Sequence, residues 1–292
     1  MKARKILGNT IVYIILIVLC AIWLLPIIWL VLQSFAAGGI GARSQLIPTE
    51  YTFDNYLFLF GLKENATATV HALDGKFIIW FGNTLIVSII TTIISTFFVL
   101  ATAYALSRFR FKGRSLIMKL NLVLGMFPGF LSMIIMYWIM KEIFHLSGTI
   151  WALIIIYSAG SGMGFFMSKG FFDTISQSID EAAMIDGATK AQIFWNITLP
   201  LSKPIIIYTI LTTFMGPWGE YITSSYIVGA QNIQSWTVAM GLYQMLKTQD
   251  YVMTYYSSFT SGAICVAIPI TLLFMFMQKY YVAGVTGGAV KG

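Results

Sequence analysis

Eleven Asp and Glu, two His and two Cys are a thin supply of metal-binding and acid–base groups for a 292-residue chain. His71 and His145 are isolated and read as plain surface residues, and Cys20 and Cys265 lie in apolar runs as small core hydrophobes, with neither a disulfide nor a metal site expected. What remains is recognition by charge and shape, and two places suit it. The stretch Glu181-Ala182-Ala183, Asp186-Gly187 and Ile197-x-Leu199-Pro200 is polar and helix-forming between long apolar runs. A short helix of this kind enters a groove on another protein apolar face first, with small Ala182, Ala183 and Gly187 allowing close approach and Glu181 free to pair with a basic residue. The second place is Glu220 beside Trp218 and Tyr221, near the end of an apolar run. An acid there normally faces protein or water and not lipid, either as a structural hydrogen-bonding group or as part of a ligand path.

The elements that position these residues are membrane spans. The chain is 58% hydrophobic and 10% charged, with a mean hydropathy of +0.81; soluble domains run to about 25% charged. A spanning helix needs about 20 apolar residues, and the runs predict six, near 11–33, 79–106, 117–140, 149–168, 204–226 and 256–280. The chain is therefore expected to be an all-α polytopic membrane protein, one transmembrane domain over 1–292. The first run is far longer than the apolar core of a cleavable signal and is expected to stay as a helix. With the N-terminus inside, thirteen of the 18 Lys and Arg fall in cytoplasmic segments, including Arg108, Arg110, Lys112, Arg114 and Lys119. Both termini are thus expected to be cytoplasmic, and the net charge of +7 reflects topology and not a nucleic-acid partner. The external stretch 227–255 is expected to hold a short interfacial or re-entrant helix.

The segment 169–203 then becomes a cytoplasmic loop. Asp180 can cap a helix over Glu181-Ala182-Ala183, Gly187 can end it, and Ala191, Phe194, Trp195 and Ile197 recur at roughly helical spacing. Pro200 ends that piece, and Pro204 starts the next helix where its missing N–H costs little. An ordinary amphipathic helix on lipid headgroups is the plainer alternative. It would favour Lys and Arg on its polar face, whereas 173–187 is acidic.

The spacing from Glu181 to Pro200 resembles the EAA loop of ABC importer permeases, and the likeness extends along nearly the whole chain. Pro48-Thr49-Glu50-Tyr51-Thr52-Phe53-Asp54-Asn55-Tyr56, Asn83-Thr84-Leu85-Ile86-Val87-Ser88 and Ala103 through Arg114 look like the family's external segment, second-helix start and second cytoplasmic turn. Phe214 with Trp218, Glu220 and Tyr221 is similar to its fifth-helix motif, although Gly219 stands where Asn or Asp is common. Tyr281-Val282-Ala283-Gly284 to Gly292 resembles the C-terminus of MalG-type carbohydrate permeases. The resemblance implies the type I ABC importer permease fold in a bacterial plasma membrane. It also implies a second homologous permease, two ABC ATPase subunits docked at Glu181, Ala182, Ala183, Asp186, Gly187, Ile197, Leu199 and Pro200, and an extracytoplasmic sugar-binding protein. Lys291 and Gly292 would reach the ATPase interface, and Trp218, Glu220 and Tyr221 would line a sugar path.

No Gly-x4-Gly-Lys-Ser/Thr pattern occurs, so ATP and Mg belong to the partner and no cofactor is expected on this chain. An ion-coupled carrier is the main competitor. It would place ionisable residues deep in several helices and show inverted repeats, and neither is evident. A non-transporting membrane scaffold would leave the acidic loop without a role. Gly160-x3-Gly164 suggests close helix contact, and Pro26, Pro128, Pro217 and Pro269 are expected to kink their spans.

Overall fold

The computed structural model describes residues 2–38, 45–64, 71–126, 129–159 and 164–289, with backbone alone for 2–7, 130 and 280–289. Among these, regular structure is helical apart from a single antiparallel bridge, Ala36 with Tyr51. The helices are α1 (Lys2–Ser34), α2 (Asp54–Leu59), α3 (Phe77–Arg108), α4 (Arg114–Gly125), α5 (Gly129–Trp138), α6 (Ile150–Ala159) and α7 (Gly164–Asp173). There follow α8 (Gln177–Ile185), α9 (Lys190–Ile193), α10 (Leu199–Leu201), α11 (Lys203–Gly219), α12 (Ile222–Val228), α13 (Val238–Met245) and α14 (Gln249–Ala289). A π-helical turn continues α5 over Ile139–Ile143, and another joins α9 to α10 over Phe194–Thr198.

Among the described residues four stretches are long and apolar enough to cross a membrane, Gly8–Ser34, Phe77–Arg108, Ile150–Asp173 and Gln249–Lys279, or five if the bent pair Lys190–Leu201 with Lys203–Gly219 counts as one. These cover the expected spans at 11–33, 79–106, 149–168 and 256–280. The described residues give 149–168 as α6 and α7, and the two remaining expected spans are likewise described in pieces. In place of 117–140 stand α4 and α5, with Pro128 outside the described residues. In place of 204–226, helix stops at Gly219, Glu220 takes an extended backbone (φ −83°, ψ 105°), and α12 resumes at Ile222. Within 227–255, where a short interfacial or re-entrant helix is expected, stands the helix α13.

The chain divides into two compact units, Met1–Ile78 with Gly241–Ala267, and Ile79–Met240 with Ile268–Gly292. In the first, α1 buries Gln33 and Ser34 at its end while the apolar stretch before them buries no residue, so Cys20 is exposed and not in a core. The carbonyls that end α1 have no partner within the helix and are met by polar side chains. Asn55 Nδ2 donates to Ser34 O (3.0 Å) and Ala36 O (2.9 Å), and Ser261 Oγ donates to Ser34 O (3.1 Å). Gly262 lets α14 approach closely, since a Cβ there would stand 2.7 Å from Leu242 Cδ2 and 3.1 Å from Phe77 Cε2.

In the second unit the start of α3 anchors the approach to α13. Thr84 Oγ1 accepts from Val238 N (2.8 Å), and Asn83 Nδ2 donates to Gln234 O (2.7 Å) and Trp236 O (3.0 Å). The far end of α3 enters an apolar core of Val99, Leu100, Ala103, Tyr104, Leu106, Phe165, Phe172, Phe194 and Ile205. Gly164 abuts this helix, its would-be Cβ lying 3.4 Å from Val99 Cγ2; residues 160–163 of the expected close-contact motif lie outside the described residues.

Asn55→Ala strands the Ala36 carbonyl, at a cost of about 1–3 kcal/mol for an unsatisfied buried group. Thermal unfolding of the purified variant should begin at a clearly lower temperature than wild type. An unshifted curve would mean that these carbonyls find other partners.

Candidate functional site

The polar segment after α7 is built from three well-defined ends. Ser176 caps α8, its Oγ accepting from Ser178 N at 3.3 Å. At the other end Gly187 adopts φ +86°, with Gly187 N donating to Met184 O (3.1 Å) and Ala188 N to Ala183 O (2.9 Å). That pair of bonds is the Schellman closure, which needs a residue tolerant of the left-handed region. Thr189 then starts α9 through a capping box with Gln192. The helical run Lys190–Leu201 meets Lys203–Gly219 at an angle of 83°. The bend falls at Ser202, two residues beyond the expected stop at Pro200, and Pro204 occupies the first turn of α11.

Gly187 thus ends a helix as the sequence suggested, but Asp180 does not begin one. The cap is Ser176, and Asp180 lies in the first turn of α8, where its Oδ2 meets Arg108 Nε at 2.7 Å. The two side chains are 11% and 6% exposed, so the pair is largely out of water. Arg108 Nη2 also donates to Ile175 O (2.9 Å). Neighbouring residues of α3 hold the flanking elements. Ser107 Oγ donates to Asp173 Oδ1 (2.6 Å), whose Oδ2 is paired with Lys169 (2.6 Å), and Tyr104 OH donates to Lys190 O (3.2 Å). The Tyr104 ring packs on Phe109, Phe172 and Phe194. Arg108 was legible in the sequence only as a topological charge, and its partner lies too far along the chain for any local pattern to show.

This arrangement fixes which face of α8 is offered outward. Ala183 is buried, while Glu181, Ala182, Asp186 and Gly187 are exposed, as are Met184 and Ile185, the latter at 86%. A polar cavity of about 310 Å³ opens beside them, lined by Arg108, Arg110, Gln177, Asp180, Glu181 and Lys190 among others. Further on, Ile197 and Leu199 are half-buried and Pro200 is exposed. Trp195 stands out at the surface against Phe97.

The second expected group is placed differently. Trp218 is 3% exposed and packs on Phe81 and Phe214. The Glu220 carboxylate accepts from Tyr157 OH (2.8 Å), Thr223 N (2.9 Å) and Ser224 N (3.1 Å). It therefore caps α12 and ties the break to α6. Tyr221, half-buried, occupies the residue just before α12. Lys291 and Gly292 lie outside the described residues.

Residues 98–287 match the family described as Binding-protein-dependent transport system inner membrane component. The chain belongs to this family. It is 34% identical to the galactooligosaccharides transport system permease protein GanQ of Bacillus subtilis, over 100% of this chain and 99% of that one. It is 32% identical to the maltodextrin transport system permease protein MalD of Streptococcus pneumoniae, over 100% and 98% of the two chains. With the maltose/maltodextrin transport system permease protein MalG of Vibrio vulnificus it shares 33% identity over 91% and 90%. Among solved structures, a chain of a bacterial ABC transporter involved in the import of the acidic polysaccharide alginate superposes with a TM-score of 0.73 at 22% identity, covering 96% and 98%. The all-α ABC importer permease fold expected from the sequence is the fold observed. The chain is an inner membrane component and a non-catalytic subunit of an ABC transporter, which sets aside the ion-coupled carrier and the scaffold.

Arg108→Gln leaves the Asp180 carboxylate buried without a counter-charge, worth about 3–5 kcal/mol. Amide hydrogen exchange over 177–185 should accelerate about a hundredfold or more. Pairing Arg108→Met with Asp180→Leu should recover much of the protection. Equal exchange in wild type and single variant would mean that the pair does not hold α8.

Proposed function

We propose that this chain is a membrane-spanning subunit, one permease domain throughout, of an ATP-driven importer for carbohydrate, in the oligosaccharide or polysaccharide range. The names of its relatives support the substrate class. The observation that carries the mechanism is the presentation of α8: Glu181, Met184 and Ile185 face outward from a helix whose inner face is bound to the end of α3 through Arg108 and Asp180.

In this reading two ATPase subunits hold ATP and Mg, and this chain binds no cofactor. One ATPase receives α8 of this chain and the other the matching helix of a second, homologous permease. Met184 and Ile185 enter the groove, Glu181 pairs with a base at its rim, and Asp186-Gly187 closes the helix end against the partner. Closure of the ATPase pair on ATP moves α8 as a rigid body. The buried ion pair and the Tyr104 hydrogen bond pass that motion to α3, and Ile197, Leu199 and Pro200 pass it toward α11. An extracytoplasmic binding protein delivers the sugar, both termini lie in the cytoplasm, and Lys291 and Gly292 touch the ATPase interface. Trp218, Glu220 and Tyr221 contribute to the sugar path only if opening exchanges the Tyr157 hydroxyl for a sugar hydroxyl at Glu220.

The test is co-purification with the ATPase, permease and binding protein encoded beside this gene. Glu181→Lys and Ile185→Asp should each lower the recovered ATPase about tenfold or more, as for an interface hot spot, or leave its hydrolysis unresponsive to the binding protein. If wild type retains no ATPase, the importer reading fails. If it does and the variants behave as wild type, the docking site lies elsewhere. Glu220→Gln separates the two roles of that residue: a path contact predicts lost uptake in a normally folded complex, and unchanged uptake with unchanged ATPase stimulation removes Glu220 from the path.

A further inference from the structure

The turn that follows α3 carries positive charge that the chain does not balance. Arg110, Lys112, Arg114 and Lys119 occur within ten positions, and no acid lies between Asp74 and Glu142. Among the described residues Arg110, Lys112 and Lys119 enter no ion pair. Arg114 feels only Asp173, whose carboxylate Lys169 already contacts. All but Arg114 are exposed. A shallow, wide-open cavity of about 420 Å³ lies here between Arg110, Phe111, Gly113, Arg114, Ser115 and Met118, and Arg114 Nε, shielded from solvent, finds no acceptor. The apolar surface continues directly from it. Phe111, Leu116, Ile117 and Leu120 are exposed, and α4 buries none of its side chains.

A cationic cavity with an apolar border, placed where a 32-residue span ends, matches an amphiphilic anion. We propose that this turn binds the headgroup of an anionic phospholipid such as phosphatidylglycerol, the phosphodiester between Arg110 and Arg114 with Lys112 beside it, and the acyl chains along Leu116, Ile117 and Leu120 of α4. Charges that served topology alone would need neither the cavity nor the apolar border. A soluble phosphate would gain nothing from Phe111 or α4. Arg110 also lines the cavity beside α8, so the test has to separate lipid binding from ATPase docking.

Native mass spectrometry of the purified full chain, with phosphatidylglycerol or phosphatidylcholine added to the detergent, tests this. Wild type should retain phosphatidylglycerol preferentially, with retention falling as salt rises. Removing two charges in Arg110→Gln/Lys112→Gln should weaken it about twenty-five-fold, at about fivefold for each basic residue beside an anionic surface. Equal retention of the two lipids by wild type overturns the proposal whether or not the variant folds. So does a well-folded variant that still prefers phosphatidylglycerol. If glycerol phosphate alone competes as well as the intact lipid, the ligand is a free phosphate ester and the lipid assignment is overturned. If the charge variant sheds a co-expressed ATPase while keeping its lipid, the turn is a protein contact instead.

Discussion

Arg108 and Asp180 form the joint on which the packing around the end of α3 depends. Moving two charges out of water costs several kcal/mol per ion, and a well-packed apolar pair would often be as stable. Their separation of 2.7 Å and the second bond from Arg108 to Ile175 O supply direction instead. An apolar contact lets two helices slide or rotate. A charge pair with a hydrogen-bonded guanidinium sets one position and one register, so the outward face of α8 follows from the inward one. Asp180 also lies in the first turn of a short helix, where a negative charge is favourable.

The neighbouring contacts extend the same logic. Ser107 reaches Asp173 at the end of α7, Arg108 reaches both Ile175 and α8, and Tyr104 reaches the start of α9. One turn of α3 thus gathers four consecutive pieces of chain. The other irregular point of the second unit is handled by a carboxylate as well. Backbone freed by a helix break needs other partners, and Glu220 takes up the amides of Thr223 and Ser224 while receiving the Tyr157 hydroxyl. In the first unit Asn55 does the equivalent for the carbonyl end of α1. The sequence segments that look like family signatures, around Asn55, Asn83 and Arg108, are in each case places where backbone polar groups are satisfied by a side chain.

Much of this was legible before any coordinates. Long apolar runs marked four spans, because their signal needs no tertiary information. Gly187 and Pro204 were readable because their backbone restrictions are local. Asp180 was misread as a cap for an instructive reason: Ser176 and Asp180 are both capping types four positions apart, and the choice was made by Arg108, distant in sequence. The break at Glu220 was hidden similarly. Hydropathy sees a carboxylate as a cost to a span, whereas here it supplies the hydrogen bonds that allow the span to be discontinuous. Trp218 drew attention as an aromatic beside an acid, but its ring is enclosed by Phe81 and Phe214, contacts that no spacing rule announces.

The bend at Ser202 has a mechanical consequence. Two rigid arms meeting at 83° form a bell crank. A push along the first arm has almost no component along the second, so it reaches α11 as a sideways swing about Ser202. The capping box at Thr189 and the packing of Phe194 keep the first arm stiff, and Pro204 limits how the second can flex near the pivot. A small thrust along one arm is thereby traded for tilting of the other. The far end of that helix is Gly219, next to the break at Glu220, where the sweep is widest.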